Sequence, residues 1–567
     1  MTESVSNFGS PRRVRYQIEL PEAKTKALAA WLDELPLANL FHCFDAVEAV
    51  LEYFNGETAI PGAARLEMAE LLNPKVALLV GQCEGHFMDA ALPYHPKAEF
   101  YAGVAFRLQY GLGMAYALAA ADLKPAQGWF GHGGQQTLKA VHRALQHLGL
   151  AQLRVAQQYL SLPMDYWGTW FRLYRHAEAH KLLLSRFDSP GEPDACKTPL
   201  GLFKRGLLFY LAGTRHLRQR DMARIYDLLG QWADHAEWRP EASQGWHSAE
   251  FMVYLDGDCP PSRSLPGGAP QLRGIYFLYT LGLARVMAEL AEEAGTGLSG
   301  DRHPIDESVL SSVARNLEGI QKRRADRKVR DRACHCVVGL NKLIAALAPS
   351  GSDAAEAAIP VESDPSAKLA RRLGLILGRD LDNEDADLRS EITLPRLMRK
   401  GGLSRDEIWT ARREEEPETA GDRARVEGRI ANVGVNDYCI VWPLDQVAEI
   451  KVGEVIGVSE PGQPLFIGVI RWLHCGEGRV RFGVERLTLC AEVVELLDQD
   501  MQPMARGLLL PPEPGFRGEP ELLALPGKTH PGGMVRQRTG EGSRLFRAYT
   551  LLKNAASFSR FAMIALQ

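Results

Sequence analysis

Apolar positions recur at helical spacing over the first half of the chain and at strand spacing over its last quarter. From Glu22 onward, Ala27, Leu28, Trp31, Leu32 and Leu35 line one face of a helix. Residues 42–53 continue the pattern with Phe44, Val47, Val50 and Leu51, and residues 63–80 follow after Pro61. The spacing predicts further helices over 100–123, 135–148, 150–162, 166–184, 200–219 and 220–236, with breaks at Pro and Gly clusters. Residues 251–256 (FMVYLD) read as an isolated strand before a Pro/Gly-rich loop, and 272–294 and 305–322 as helices. A basic cluster, KRRADRKVRDR, then leads into a candidate strand at 333–338. Residues 349–366 are small, acidic and Pro-containing and read as a linker; a helix at 367–377 and an acidic run at 414–418 follow. From Arg423 short apolar runs alternate with Gly, Pro, Asn and Asp, the mark of antiparallel strands joined by tight turns.

The expected fold class is therefore α+β and multidomain: an all-α helical array followed by a C-terminal antiparallel β-barrel region. The expected boundaries are a leader at 1–20, a helical domain at 21–320, and a segment at 321–422 holding the basic cluster, the candidate first barrel strand and a linker or helical insertion. A barrel at 423–498 and a β-rich extension at 499–567, forming a second small barrel or enlarging the first, complete the chain.

Composition narrows the function more than the fold. With 567 residues, 46% of them hydrophobic, the chain can supply more than one core. The net charge of −4 disfavours a globally basic nucleic-acid binder. From Arg506 to the end, however, nine Lys/Arg face four Glu, a local charge of +5. This tail, with Arg536, Arg538, Arg544, Arg547 and Arg560, sustains an alternative reading as a nucleic-acid-binding regulator. Nine scattered cysteines, no apolar signal core and no candidate membrane span point to a cytoplasmic protein.

Chemistry-bearing motifs are sparse. Cys334 and Cys336 would share one face of a strand with His335 on the other, the pattern of buried core cysteines rather than a metal site. His176 and His180 fall one helical turn apart without a third ligand. GHGGQ at 131–135 lacks the Lys-Ser/Thr ending of a phosphate loop. DGD at 256–258 lacks the rest of a calcium loop. Neither a nucleophile elbow nor a paired acid and base is present, so no catalytic residue and no metal are expected.

The stretch from Arg425 to Leu487, above all FIGVIRW followed by RVRFGVERL, resembles a PilZ domain, a small bacterial β-barrel. The resemblance implies cyclic di-GMP as a regulatory ligand, held by an RxxxR motif ahead of the barrel and an Asp/Asn-x-Ser-x-x-Gly turn early in it. Arginine suits such a ligand because its guanidinium pairs with phosphate, reads guanine O6 and N7 and stacks on the base. Arg323 and Arg327, with Arg324 between them, match the first motif and precede the candidate strand 333–338, the family's usual order. Arg425 and Arg429 are the alternative match, close to the second motif. There Asn432 occupies the first position, but Gly434 replaces the serine and Asp437 the final glycine. The first reading makes the barrel discontinuous in sequence. The resemblance implies a non-enzymatic signalling adaptor or receptor whose helical body contacts a protein partner; the alternative is a ligand-free interaction scaffold.

Overall fold

The computed structural model describes residues 19–123, 132–188, 191–242, 247–263, 274–295, 305–319, 328–348, 426–444, 449–512, 519–539, 542–555 and 557–566. The expected leader, the linker and helix of residues 349–377, and the acidic run 414–418 lie outside these apart from Glu19 and Leu20. The chain divides into two compact units: Met1–Lys328 with Pro443–Asp445 and Arg471–Gly483, and Val329–Trp442 with Gln446–Ile470 and Val484–Gln567.

The first unit is a helical array. It runs α1 (Thr25–Asp33), α2 (Leu40–Gly56), α3 (Gly62–Phe87), α4 (Pro96–Asp122), α5 (His132–Gln157), α6 (Tyr166–Ala179), α7 (Pro199–Leu211) and α8 (Gln219–Gln231). The Gly/Ala-rich α4 is buried along most of its length, through Leu108, Leu112, Tyr116 and Ala119. A side chain at Gly113 would come within 2.9 Å of Leu148, so the glycine sets the approach of α4 to α5. Helix α5 corrects the expected pair of helices at 135–148 and 150–162. Gly149 does not break it, and its missing Cβ leaves room for the Tyr226 hydroxyl.

The segment after α8 departs further from expectation. Strands β1 (Glu237–Arg239), β2 (Glu250–Tyr254) and β3 (Ile275–Tyr279) form an antiparallel sheet in the order β1-β3-β2. The FMVYLD strand is thus paired, not isolated, and the expected helix at 272–294 begins only at Leu281. The run IYFLY is aromatic and β-branched, and extended pairing on both sides overrides its fit to a helical period. Helices α9 (Leu281–Gly295) and α10 (Glu307–Leu317) follow.

Two histidines lie buried in α5. His142 Nε2 is 3.0 Å from the Cys196 carbonyl oxygen, and His147 Nδ1 is 2.8 Å from Gln109 Oε1. Burial pushes His142 down to about 4, and burial with nearby Arg143 pushes His147 down to about 3.

The second unit holds two six-stranded barrels. The first closes in the order β4-β5-β6-β9-β8-β7 from β4 (Lys328–Val338), β5 (Val426–Val433), β6 (Asp437–Pro443), β7 (Val455–Ser459), β8 (Phe466–Gly476) and β9 (Arg479–Thr488). The second closes as β10-β11-β12-β15-β14-β13 from β10 (Glu492–Leu497), β11 (Pro503–Leu510), β12 (Glu521–Ala524), β13 (Met534–Thr539), β14 (Gly542–Asn554) and β15 (Ser559–Leu566). Counted from each barrel's own first strand, the two orders are the same. The tip of the β8–β9 hairpin, from Arg471, is grouped with the helical unit, where the Cys475 amide donates to the Tyr159 carbonyl at 2.8 Å.

Helix α11 (Leu340–Leu347) follows β4 directly, through Gly339 at φ +95°. Its Leu340, Leu343 and Ile344 share one core with Val455, Ile467 and Val469 of the first barrel and Leu508, Leu510, Leu523 and Phe558 of the second. A Cβ on Gly457 would meet Leu343 at 2.5 Å, so α11 seats on β7 only because that position is bare. Leu343→Ala is predicted to cost about 2–5 kcal/mol and Gly457→Ala about 1–3 kcal/mol. Urea unfolding followed by far-UV circular dichroism reads both; an unchanged midpoint in either would contradict this packing.

The buried histidines predict an acid limb. Their folded values lie below the ordinary 6.5, so the unfolded chain takes up protons first. Stability is complete above about pH 6.5 and falls, by about 1.4 kcal/mol per pH unit for each histidine, as pH drops toward the folded values. His147→Gln should flatten the fall between about pH 6 and pH 4 by that amount per unit, as read by denaturant midpoints across the range.

Candidate functional site

Strands β4, β5 and β6 lie side by side in the first barrel. Strand β4 changes character along its length. Cys334, Cys336, Val337 and Val338 are buried at its C-terminal end, whereas Val329, Asp331, Arg332 and Ala333 are exposed at the other. The alternation is the expected one at the cysteines: their sulfurs are 4.0 Å apart inside the barrel, and His335 is only half-buried. Burial holds the Cys336 thiol well above its ordinary value.

The exposed half of β4 lies beside Arg429 of β5. Arg429 Nε donates to Asp331 Oδ1 at 2.6 Å across the two strands. This hydrogen bond and its charge hold the Asp331 carboxyl below its ordinary value and the Arg429 guanidinium above. The next residue, Arg332, pairs with Glu460 at 2.8 Å. Each exposed ion pair contributes little to stability, so a ligand anion can displace the carboxylates at small cost.

The β5–β6 hairpin turns at Gly434–Asn436. Asn432 is opposite Cys439 and Val433 opposite Tyr438, after a bulge between Ile430 and Asn432. The Gly434 amide donates to the Asp437 carbonyl at 2.7 Å, which closes the turn. Arg486 on β9 fastens it from the side: its amide donates to the Asn436 carbonyl at 2.8 Å and its guanidinium to Asn436 Oδ1 at 3.0 Å. Tyr438 packs its ring on Phe466 with centroids 4.5 Å apart. The Asp437 side chain is exposed.

Of the candidate site residues, Arg429, Asn432 and Gly434 thus fall on one strand and its turn. Arg323, Arg324, Arg327 and Arg425 lie outside the described residues; in sequence Arg327 immediately precedes β4 and Arg425 immediately precedes β5. Motif matching passed over Asp331, Arg332 and Arg486. The alternation of charges in KVRDR was the available signal for the first two. Arg486 carried none, because its role depends on β9 lying next to β6.

The other motifs resolve into structure. Asp258 accepts from the Asp165 and Gly168 amides at 2.5 and 3.0 Å, capping α6 from a distant loop, and Asp256 pairs with Arg175 at 2.5 Å. His176 and His180 have ring centroids 4.5 Å apart, and among the described residues no group of three or more metal-ligating side chains occurs. In GHGGQ, Gly131 lies outside the described residues and α5 begins at His132. In the basic tail Arg536 and Arg538 both pair with Glu495, and Arg560 with Glu521. Among the described residues no helix is long and apolar enough to cross a membrane.

Residues 26–241 match the family model described as the N-terminal domain of the cyclic-di-GMP receptor FimW, and residues 250–492 match that described as its middle PilZ domain. The chain is a PilZ-domain protein, with the helical N-terminal region that the first model covers. A curated protein of Pseudomonas aeruginosa, named cyclic-di-GMP receptor FimW, is 23% identical over 527 residues, which are 88% of this chain and 84% of that protein. No solved structure matches.

Arg486→Ala is predicted to loosen the Asn432–Asp437 turn by about 1 kcal/mol. Hydrogen exchange at the Gly434 amide reads it. Arg486→Lys should not restore protection, since lysine lacks the planar fork that reaches both Asn436 and Tyr438.

Proposed function

We infer that this chain is a non-enzymatic cyclic di-GMP receptor that relays occupancy of its PilZ domain to a protein partner through the helical unit. The observation that carries the reading is the pairing of β4 with β5. Strand β4, which the arginine motif precedes in sequence, and strand β5, which ends at the Asn432 turn, are far apart in sequence and adjacent in one barrel. The relationship to a protein named as a cyclic-di-GMP receptor supports the same conclusion.

In this reading Arg323, Arg324 and Arg327 meet the phosphates and guanine edges of the dinucleotide, and Asn432 and Gly434 let the backbone approach it. Arg429 joins them by exchanging Asp331 for a ligand phosphate. Asp437, in place of the family's glycine, repels that phosphate unless it stays turned to solvent. Binding links the arginine segment to the barrel through the ligand, and the signal is the resulting shift between two states of different ligand affinity.

Calorimetric titration of the full chain with cyclic di-GMP, with GTP and cyclic di-AMP as controls, tests the reading. Selective binding is expected, weakened at least about 100-fold in Arg323→Ala/Arg327→Ala, since each charged hydrogen bond contributes about 1.5–3 kcal/mol. Binding that survives this double variant but falls in Arg425→Ala/Arg429→Ala would move the site to the alternative pair. A folded wild-type chain that binds none of the three would leave a ligand-free scaffold, the reading favoured by Gly434 and Asp437.

A further inference from the structure

Helix α5 ends on a residue that helix ends do not favour. The Tyr159 amide donates to the Ala156 carbonyl at 2.8 Å and the Leu160 amide to the Val155 carbonyl at 3.2 Å, the two bonds that close a helix around a left-handed residue. Tyr159 is that residue, at φ +54°. Glycine takes this position freely, whereas a tyrosine is held there in a sparsely populated conformation. Such strain persists only where the surroundings over-determine it, and it gathers at switch regions.

Three contacts hold Tyr159. Its carbonyl accepts from the Cys475 amide at 2.8 Å and from His474 Nδ1 at 3.1 Å, both at the tip of the β8–β9 hairpin. Its buried hydroxyl donates to the Leu217 carbonyl at 2.8 Å, in the connection between α7 and α8. Beside it Gln157 and Gln219, the first residue of α8, exchange hydrogen bonds: each Nε2 donates to the other's carbonyl, at 3.3 and 3.1 Å. His216 is hydrogen-bonded to the Arg471 backbone, so the hairpin meets the same connection directly. The tip, Arg471–Gly483, is grouped with the helices, yet β8 and β9 both run on from it as strands of the first barrel. A helix cap alone requires none of these contacts, and glycine would close α5 with less strain but offer Leu217 no hydroxyl. We propose that Tyr159 is a positioning residue through which the β8–β9 hairpin sets the end of α5 and the start of α8. Resting on the receptor reading above, it is the point at which occupancy of the PilZ domain reaches the helices.

Hydrogen exchange of the full chain, without and with cyclic di-GMP, tests the proposal, with calorimetry to show whether the ligand is bound. Without ligand, Tyr159→Gly should speed exchange at the Cys475 and Leu217 amides at least about fivefold, the scale of one lost hydrogen bond. A tyrosine that served only the helix end would give the opposite result: slower exchange at Leu160 and no change at Cys475 or Leu217. That outcome would overturn the proposal. Tyr159→Phe keeps the buried ring and removes only the hydroxyl. Cyclic di-GMP should shift exchange at Leu217 at least about fivefold in the wild-type chain and leave it unmoved in Tyr159→Phe, while both bind the ligand. Binding that leaves Leu217 unmoved in the wild type, or moves it equally in Tyr159→Phe, would overturn the relay through this residue. Absence of binding would overturn the receptor reading instead, and the glycine variant would then decide the positioning role by itself.

Discussion

The barrel unit depends on one shared apolar core. Helix α11 inserts Leu340, Leu343 and Ile344 where β7 and β8 of the first barrel meet β11 and β12 of the second. Neither barrel can lose this helix without exposing its own side of that core. The contact also fixes register. Val455 is buried against α11 while Gly457 leaves room for it, so a one-residue slip of β7 would bring a side chain against Leu343. Because α11 follows β4 through a single glycine, whose amide donates to the Val455 carbonyl at 2.9 Å, the C-terminal end of β4 is held as well.

Anchoring one end of β4 determines what its other end can do. The buried half cannot move without opening the core, so the exposed half, with Asp331 and Arg332, is presented beside β5 from a rigid base. The ion pairs there are solvent-exposed and short, 2.6 Å to Asp331 and 2.8 Å to Glu460. They orient arginines without locking them, since screening by water keeps such pairs weak. The Asn432 turn is more firmly set: Arg486 holds it from the neighbouring strand with both backbone and side-chain hydrogen bonds.

Much of this was legible in the sequence, for identifiable reasons. Alternation with Gly and Pro punctuation exposed the strands of both barrels, and the pairing of Cys334 with Cys336 on an inward face followed from period two alone. The departures arose where tertiary contacts overrode local pattern. Gly149 looked like a helix boundary, yet Tyr226 fills the space beside it and α5 runs through. IYFLY matched a helical period, yet two flanking strands claimed it. At the site, motif spacing pointed to Asn432, Gly434 and Arg429 on one hairpin. It could not point to Arg486 or Asp331, whose roles exist only once β9 lies beside β6 and β4 beside β5.

Two barrels of one strand order within a single unit carry different chemistry on their surfaces. In the first, the connection between the second and third strands is the tight Asn432 turn, and an arginine-rich segment leads into the first strand. In the second, only three residues separate the end of β9 from the start of β10, which leaves no room for such a segment, and the connection from β11 to β12 has no Asn-x-Ser-x-x-Gly pattern. Its arginines are engaged differently, with Arg536 and Arg538 on Glu495 and Arg560 on Glu521. Strand order alone therefore does not distinguish the two barrels, since the same closure serves both. What distinguishes them is what the chain places ahead of the first strand and in the hairpin after the second. By sequence only the first barrel carries these features, and the second packs against it through α11.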